Sequence, residues 1–372
     1  MVKNAIIIGT HINAVTIVRS LKESSFPGKI ILACGRTRGR GLAGFSYPDL
    51  EYLNPSLSKP EDLIGAIKER FAGTETAVLF TDERFHVAFS KLNKADYPWL
   101  HYHIGGEGRM MTVLDRLEFC TFLSENGVKS VPVTIPGDED PFAKFGGKFV
   151  VRPRCSWYGF ERFSVHIVES KVQFEQVMAE YKGRGLSDGD ICYQELLSIR
   201  DEDNVSVCGW YDKDNQYVYC THKVLQHPPK NGNGDVIEVI DPPKGVMEMA
   251  LKTLSVLEYD GPFELEFVYD DRTNVYRIIE LNPRFWMQHG LCEALSGNAL
   301  SSLSVDGRPS SALVKKDMRY WVNPMYAMFR MLKLDARGIQ YLKLTETYSS
   351  IGVFRSLLYI PIHIFRKVSS AV

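Results

Sequence analysis

From Phe263 to Trp286 the chain reads FELEFVYDDRTNVYRIIELNPRFW. Apolar and polar positions alternate, stop at a polar turn, and alternate again. Side chains two apart share a strand face, so Glu264 and Glu266 point one way and Phe263, Leu265 and Phe267 the other. After the turn Asp270-Asp271-Arg272-Thr273-Asn274, a second strand is predicted from Val275 to Leu281, with Glu280 and Asn282 on one common face. Antiparallel pairing would bring carboxylates and an amide oxygen together at the outer end of this hairpin. A solvated strand face is the simpler alternative for an acidic hairpin. Pro283 and Arg284 follow directly, however, and set a permanently charged, two-pronged anion-binding group beside the acids.

Similar patterning organises the rest of the chain. AIIIGTHINAVTIVRSL predicts a buried strand, a glycine turn and an amphipathic helix, and KIILACG the next strand, together a βαβ unit. AVLFTDERFHVAFSKL predicts a strand with Asp82 at its C-terminal end and then a helix; in an open α/β sheet, ligands sit outside such ends. RMMTVLDRLEFCTFLSENG predicts one helix closing at Gly127. GKFVVRPRCSWYGFERFSVHIV predicts a strand ending at Arg152-Pro153, a loop and another strand. YVYCTHKVLQHPPKNGNGD predicts a strand carrying His222, read as a packing residue, and Lys223, followed by a Pro/Gly/Asn loop.

Composition narrows the function. The 372 residues suffice for two or three domains, and 45% hydrophobic with 24% charged residues is ordinary for a globular protein. Cys34, Cys120, Cys155, Cys192, Cys208, Cys220 and Cys292 form no CxxC pair or zinc-spaced cluster, which suggests reduced thiols and a cytoplasmic setting. The N-terminal apolar stretch is too short for a signal peptide, and no apolar run is long enough to span a bilayer. A net charge of −1 gives no reason to expect nucleic acid as a partner. That balance hides an asymmetry, because the chain from Lys315 onward holds ten Lys/Arg against three Asp/Glu.

In its hairpin, with an acidic strand, a turn and then IIELNPR, the sequence resembles the ATP-grasp superfamily, and most closely its carboxylate-amine ligases. The resemblance implies an α/β fold with a Rossmann-like pre-ATP-grasp domain at residues 1–108. A small ATP-grasp lobe would follow at 109–190 and a large lobe with the metal hairpin at 191–301, with a basic extension at 302–372. It implies ATP and Mg²⁺ (or Mn²⁺) as cofactors, with Glu266, Glu280 and Asn282 as metal ligands and Arg284 and Lys223 as the catalytic cations. Arg116 and Arg152 would be the phosphate contacts, at positions where the superfamily commonly has lysine. Gln194, Glu195, Leu196 and Leu197 would form the adenine site, and Asp203 or Asn204 the ribose contact. Trp286, Gln288 and His289 would line the acceptor pocket. Cys155, Ser156, Trp157 and Tyr158 stand where the superfamily's phosphate loop usually has glycines.

The implied reaction joins a small-molecule carboxylate to an amine through an acyl phosphate, with an amino acid or sugar acid as substrate. Two rival readings use the same sequence: a non-catalytic ATP-binding regulatory module, and a nicotinamide-dependent oxidoreductase built on the Gly9 turn. The second lacks the companion glycines of the dinucleotide fingerprint. The tail SSIGVFRSLLYIPIHIFRK mixes apolar residues with Arg355, Arg366 and Lys367. It reads first as an element docked on the core and second as a peripheral contact with the inner face of the membrane. A homodimer is compatible with all of these readings.

Overall fold

In a parallel sheet each strand is buried on both faces and needs a crossover before the next; the first hundred residues follow that rule. In the computed structural model, the strands are β1 (Asn4–Ile8), β2 (Lys29–Ala33), β3 (Glu51–Leu53), β4 (Thr76–Phe80) and β5 (Leu100–Tyr102). They pair in parallel in the order β3-β2-β1-β4-β5. The crossovers carry α1 (Ile12–Glu23), α2 (Gly41–Ser46), α3 (Glu61–Phe71) and α4 (His86–Ser90), the last preceded by a 3₁₀ turn at Glu83–Phe85. The structure describes residues 1–33, 41–54, 59–106, 108–158, 161–197, 204–226, 234–308, 310–311 and 319–323.

The strand order reverses between β1 and β4, the place where open α/β sheets hold ligands. Gly9 leaves β1 there with φ +117°, and a Cβ on it would stand 2.1 Å from Thr81 Oγ1. Gly9→Ala is therefore expected to lower stability by roughly 2 kcal/mol. Urea unfolding tests this, and an unchanged midpoint would mean that the turn relaxes freely.

The helix expected across Met110 to Gly127 is two helices, α5 (Met110–Leu114) and α6 (Arg116–Glu125). Asp115 breaks them: its backbone is extended, and its carboxylate caps α6 by accepting from the Leu117 and Glu118 amides at 2.9 and 3.2 Å. An N-cap aspartate satisfies amides that no preceding turn can reach. Next come β6 (Val133–Thr134), α7 (Pro141–Lys144), β7 (Phe149–Pro153), a small hairpin of β8 (Trp157–Tyr158) and β9 (Glu161–Arg162), β10 (His166–Val168), α8 (Lys171–Gly183) and β11 (Ile191–Glu195). The order β10-β7-β11-β6 makes a four-stranded antiparallel sheet.

A larger antiparallel sheet holds β12 (Asn204–Tyr211), β13 (Gln216–Gln226), β14 (Gly234–Ile240), β15 (Gly261–Asp270) and β16 (Val275–Asn282), with α9 (Val246–Val256) between β14 and β15. After it come α10 (His289–Ser296), β17 (Asn298–Ala299), α11 (Leu300–Asp306), β18 (Ser310–Ser311) and β19 (Tyr320–Val322). The order is β16-β15-β12-β13-β14-β19. Residue 301, the expected end of the large lobe, lies inside α11, and β19 pairs with β14 at the edge of the large sheet. Residues 324–372, with the apolar-basic tail and seven of the ten Lys/Arg counted from Lys315 onward, lie outside the described residues, as does Cys34.

One face of the large sheet packs Val205, Val207, Phe263, Leu265 and Phe267 against Phe119, Leu123 and Leu254 of α6 and α9. Another core joins Trp210, Phe285, Trp286, Leu291 and Trp321 to Ile7, Val15 and Val18 of the first sheet and α1. Apolar burial of this kind contributes roughly 25 cal/mol per Å², so the parallel sheet is held firmly against the large one. The six described cysteines, Cys120, Cys155, Cys192, Cys208, Cys220 and Cys292, are free thiols. Among the described residues no helix is long and apolar enough to cross a membrane.

Candidate active site

The hairpin β15–β16 sets the register of the site. Glu266 stands opposite Glu280, and Glu264 opposite Asn282. A bulge follows, because Phe267 pairs with Ile278 and leaves Ile279 as the extra residue. The bulge turns Ile278 and Leu281 both into the core while Glu280 stays on the acidic face. Strict alternation cannot do this; an unpaired residue can. Asn282 Nδ2 donates to Glu266 Oε1 at 3.3 Å, and Gln288 Nε2 to Glu264 Oε1 at 2.8 Å.

Cations from distant elements converge on the acids. Arg116, first residue of α6, approaches Glu280 Oε2 at 2.6 Å, and Arg152, on β7, approaches the same oxygen at 3.1 Å. Arg152 also donates to Gln194 Oε1 at 3.2 Å. Lys223 Nζ lies 3.8 Å from Glu266 Oε2. Arg284 Nε lies 3.6 Å from Glu83 Oε1 at the C-terminal side of β4. Burial works against charge on Glu280, but the two guanidiniums win and hold its pKa at about 2. Burial and the Glu266 carboxylate push Glu264 up to about 7. The two carboxylates thus differ in proton affinity because burial dominates at Glu264, with Glu266 adding to it, whereas two arginines outweigh burial at Glu280.

The donor set suits a hard cation. Mg²⁺ takes one or two carboxylates and fills its sphere with phosphate and water oxygens. Glu266 and Glu280 supply two carboxylates, and Asn282 an amide beside them. Among the described residues no group of three or more His, Cys, Asp or Glu is placed to hold a metal ion by itself. Glu280 is engaged by two arginines here, and an incoming polyphosphate would offer those guanidiniums another anion.

Other residues expected in the site are placed differently. The Glu195 carboxylate, at the end of β11, accepts from Arg272 Nη1 at 2.5 Å, and Arg272 also holds Asp270. Leu196 and Leu197 follow as half-buried irregular chain. Asn204 opens β12 opposite Val268, while Asp203 lies outside the described residues. Trp286 and His289 do not line an open pocket: both are 0% exposed. The chain turns into α10 after Arg284 and packs these rings against the first sheet's layer, where His289 Nδ1 donates to the Trp286 carbonyl at 2.9 Å. Gln288 alone of the three reaches the acidic face. His222, expected as a packing residue, instead bonds Glu238 Oε2 at 2.8 Å on the neighbouring strand.

Sequence reading missed Glu83, the partner of Arg284, although it directly follows the Asp82 that was noted at the strand end. It also missed the pairing of Arg154 with Asp115 at 2.8 Å, which ties the β7 end to the cap of α6. No local signal predicted either contact.

Comparison with known proteins agrees with this architecture. The family described as Carbamoyl-phosphate synthase L chain, ATP binding domain, matches residues 235–306. A search of curated proteins finds no match. Among solved structures, a biotin carboxylase from Campylobacter jejuni is similar with a TM-score of 0.64 at 15% identity, over 86% of this chain and 73% of its own. N5-carboxyaminoimidazole synthetase from Staphylococcus aureus gives 0.64 at 15% identity, over 90% and 86%. L-amino acid ligase from Bacillus licheniformis gives 0.59 at 14% identity, over 83% and 75%. With its two antiparallel sheets meeting at the acidic hairpin, this chain has the ATP-grasp fold.

Proposed function

We propose that the protein is an ATP-dependent carbon–nitrogen ligase that activates a small carboxylate as an acyl phosphate and transfers the acyl group to an amine. The observation that carries this reading is the convergence of Arg116, Arg152 and Lys223 on the Glu266–Glu280 pair, with Arg284 two residues past the end of β16. Such a site neutralises and positions phosphate, and that is most of what phosphoryl transfer asks of a protein.

In the first step a substrate carboxylate oxygen attacks the γ-phosphorus, and the bond to ADP breaks. In the second, the amine attacks the acyl carbon, inorganic phosphate leaves with the former carboxylate oxygen, and the amine gives up a proton. Glu266, Glu280 and Asn282 would hold Mg²⁺, which when bound neutralises charge on the ATP phosphates. Arg116 and Arg152 would meet those phosphates, while Arg284 and Lys223 would face the acyl phosphate. Gln194 to Leu197 and Asn204 are assigned to the nucleoside end on the superfamily pattern. Occupation by adenine would require Glu195 to share or leave Arg272. We read residues 1–108 as the Rossmann-like pre-ATP-grasp domain, 109–190 as the small lobe and 191–301 as the large lobe. Neighbours of similar fold include an L-amino acid ligase and an N5-carboxyaminoimidazole ribonucleotide synthetase, so the acceptor is sought among amino acids, sugar acids and small amines.

ADP release by the purified protein with Mg-ATP, screened against pooled carboxylates and amines, tests the reading. Release that requires one carboxylate pool and one amine pool is expected. Tight nucleotide binding with no turnover in any pool would favour the non-catalytic module instead.

A further inference from the structure

The hairpin β8–β9 carries Trp157 and Tyr158 where the resemblance to the superfamily implies a glycine-rich phosphate loop. The structure shows what the tryptophan touches. The Arg84 guanidinium, in the 3₁₀ turn after β4, lies over the Trp157 ring with its central carbon 4.6 Å from the ring centroid, inside the range for cation–π attraction. Arg84 is itself braced: its Nε donates to both Asp82 oxygens at 2.9 and 2.8 Å, and its Nη2 also contacts that carboxylate. Asp82 in turn caps the 3₁₀ turn by accepting from the Arg84 amide at 3.1 Å. On the hairpin side, Trp157 pairs with Arg162 and the Tyr158 hydroxyl donates to the Asp190 carbonyl at 3.0 Å. The residue before Arg84 is Glu83, which faces Arg284. One short turn at the ligand-binding end of the parallel sheet therefore touches both the hairpin and the arginine that follows the acidic strands.

We propose that Arg84 and Trp157 form a latch that positions the β8–β9 hairpin against the first sheet, over the phosphate site. Both are positioning residues, and the assignment of the hairpin to phosphate rests on the function proposed above. A glycine-rich loop closes by being flexible. This hairpin is instead held by a planar cation on an indole face, so its closure depends on the conformation of the turn that also faces Arg284. An anionic substrate that draws Arg284 away from Glu83 would be sensed at the same turn.

The test is hydrogen exchange of the 155–165 segment in the full-length protein and in Trp157→Ala, Trp157→Phe, Arg84→Ala and Arg84→Lys, together with Mg-ADP titration by calorimetry. In the alanine variants the hairpin amides should exchange about fivefold faster or more, with no further increase when both changes are combined. Trp157→Phe, which keeps a π face, should stay near the parent protein, and Arg84→Lys should fall between. Mg-ADP affinity should fall in the alanine variants and recover in Trp157→Phe. Unchanged exchange in the folded variants would overturn the latch. Faster exchange with unchanged Mg-ADP affinity would overturn its role over the phosphate site. Failure of the parent protein to bind Mg-ADP would overturn that role and the proposed function together, while the exchange data would still decide whether the contact holds the hairpin.

Discussion

Glu280→Gln is expected to lower turnover at least about a hundredfold and, independently, to cost the folded protein about 3 kcal/mol. Both effects come from one carboxylate with two duties. Glu280 faces Glu266 as a candidate cation ligand, and it is also the anion that Arg116 and Arg152 share. Arg116 is buried, and despite that burial Glu280 and Glu83 hold its pKa above the usual arginine range. Glutamine keeps the size and an oxygen but removes the charge, so two guanidiniums are left facing each other in a poorly solvated place. Arg152→Lys should be milder in stability, because the charge remains and only the fork that spans Gln194 and Glu280 is lost. Urea unfolding curves give the stability difference, and ADP release gives the activity. A Glu280→Gln protein as stable as the parent would show that the arginines find water instead of depending on this carboxylate.

The second large effect is a pH dependence. Glu293 of α10 is 2% exposed; the Ser20 hydroxyl donates to it, as does the Ser301 amide at 3.4 Å, and Arg19 of α1 is nearby. Burial pushes its pKa up to about 7 against the weaker pull of these partners. In the unfolded chain it titrates near 4.3, so between roughly pH 4.3 and 7 the folded state binds the extra proton. Stability from this group is then complete below that window and lost as pH rises through it, by roughly 4 kcal/mol in all. Glu293→Gln cannot lose that proton. It should be more stable than the parent at pH 8 and close to it at pH 4.5, by unfolding curves at each pH. Glu264 is displaced in the same direction, but it is common to both proteins and cancels in the comparison. A constant difference across the pH range would mean that Glu293 is already ionised in the fold.

These effects show how much of the molecule could be read along the chain. The strand and helix of the first βαβ unit, the β15–β16 hairpin and the shared face of Glu264 and Glu266 follow from periodicity. Periodicity is a local property that neighbouring residues impose on one another. Asp115 shows its limit: the apolar pattern runs through it without a break, but its carboxylate finds two amides and Arg154, and the helix divides there.

Propensity and alternation act over a few residues, so the chain alone indicates most of the elements, the acidic hairpin and the set of basic residues able to serve it. Which charges meet is set by the packing of elements far apart in the chain. Arg116 and Glu280 are 164 positions apart, and nothing local couples them. The same holds for Glu83 with Arg284, Arg84 with Trp157, and Glu195 with Arg272. It also holds for Trp286 and His289, whose residue types suit a pocket wall as well as a core. Packing of α10 against α1 placed them in the core, since burying two aromatic rings between layers outweighs leaving them at an open cleft.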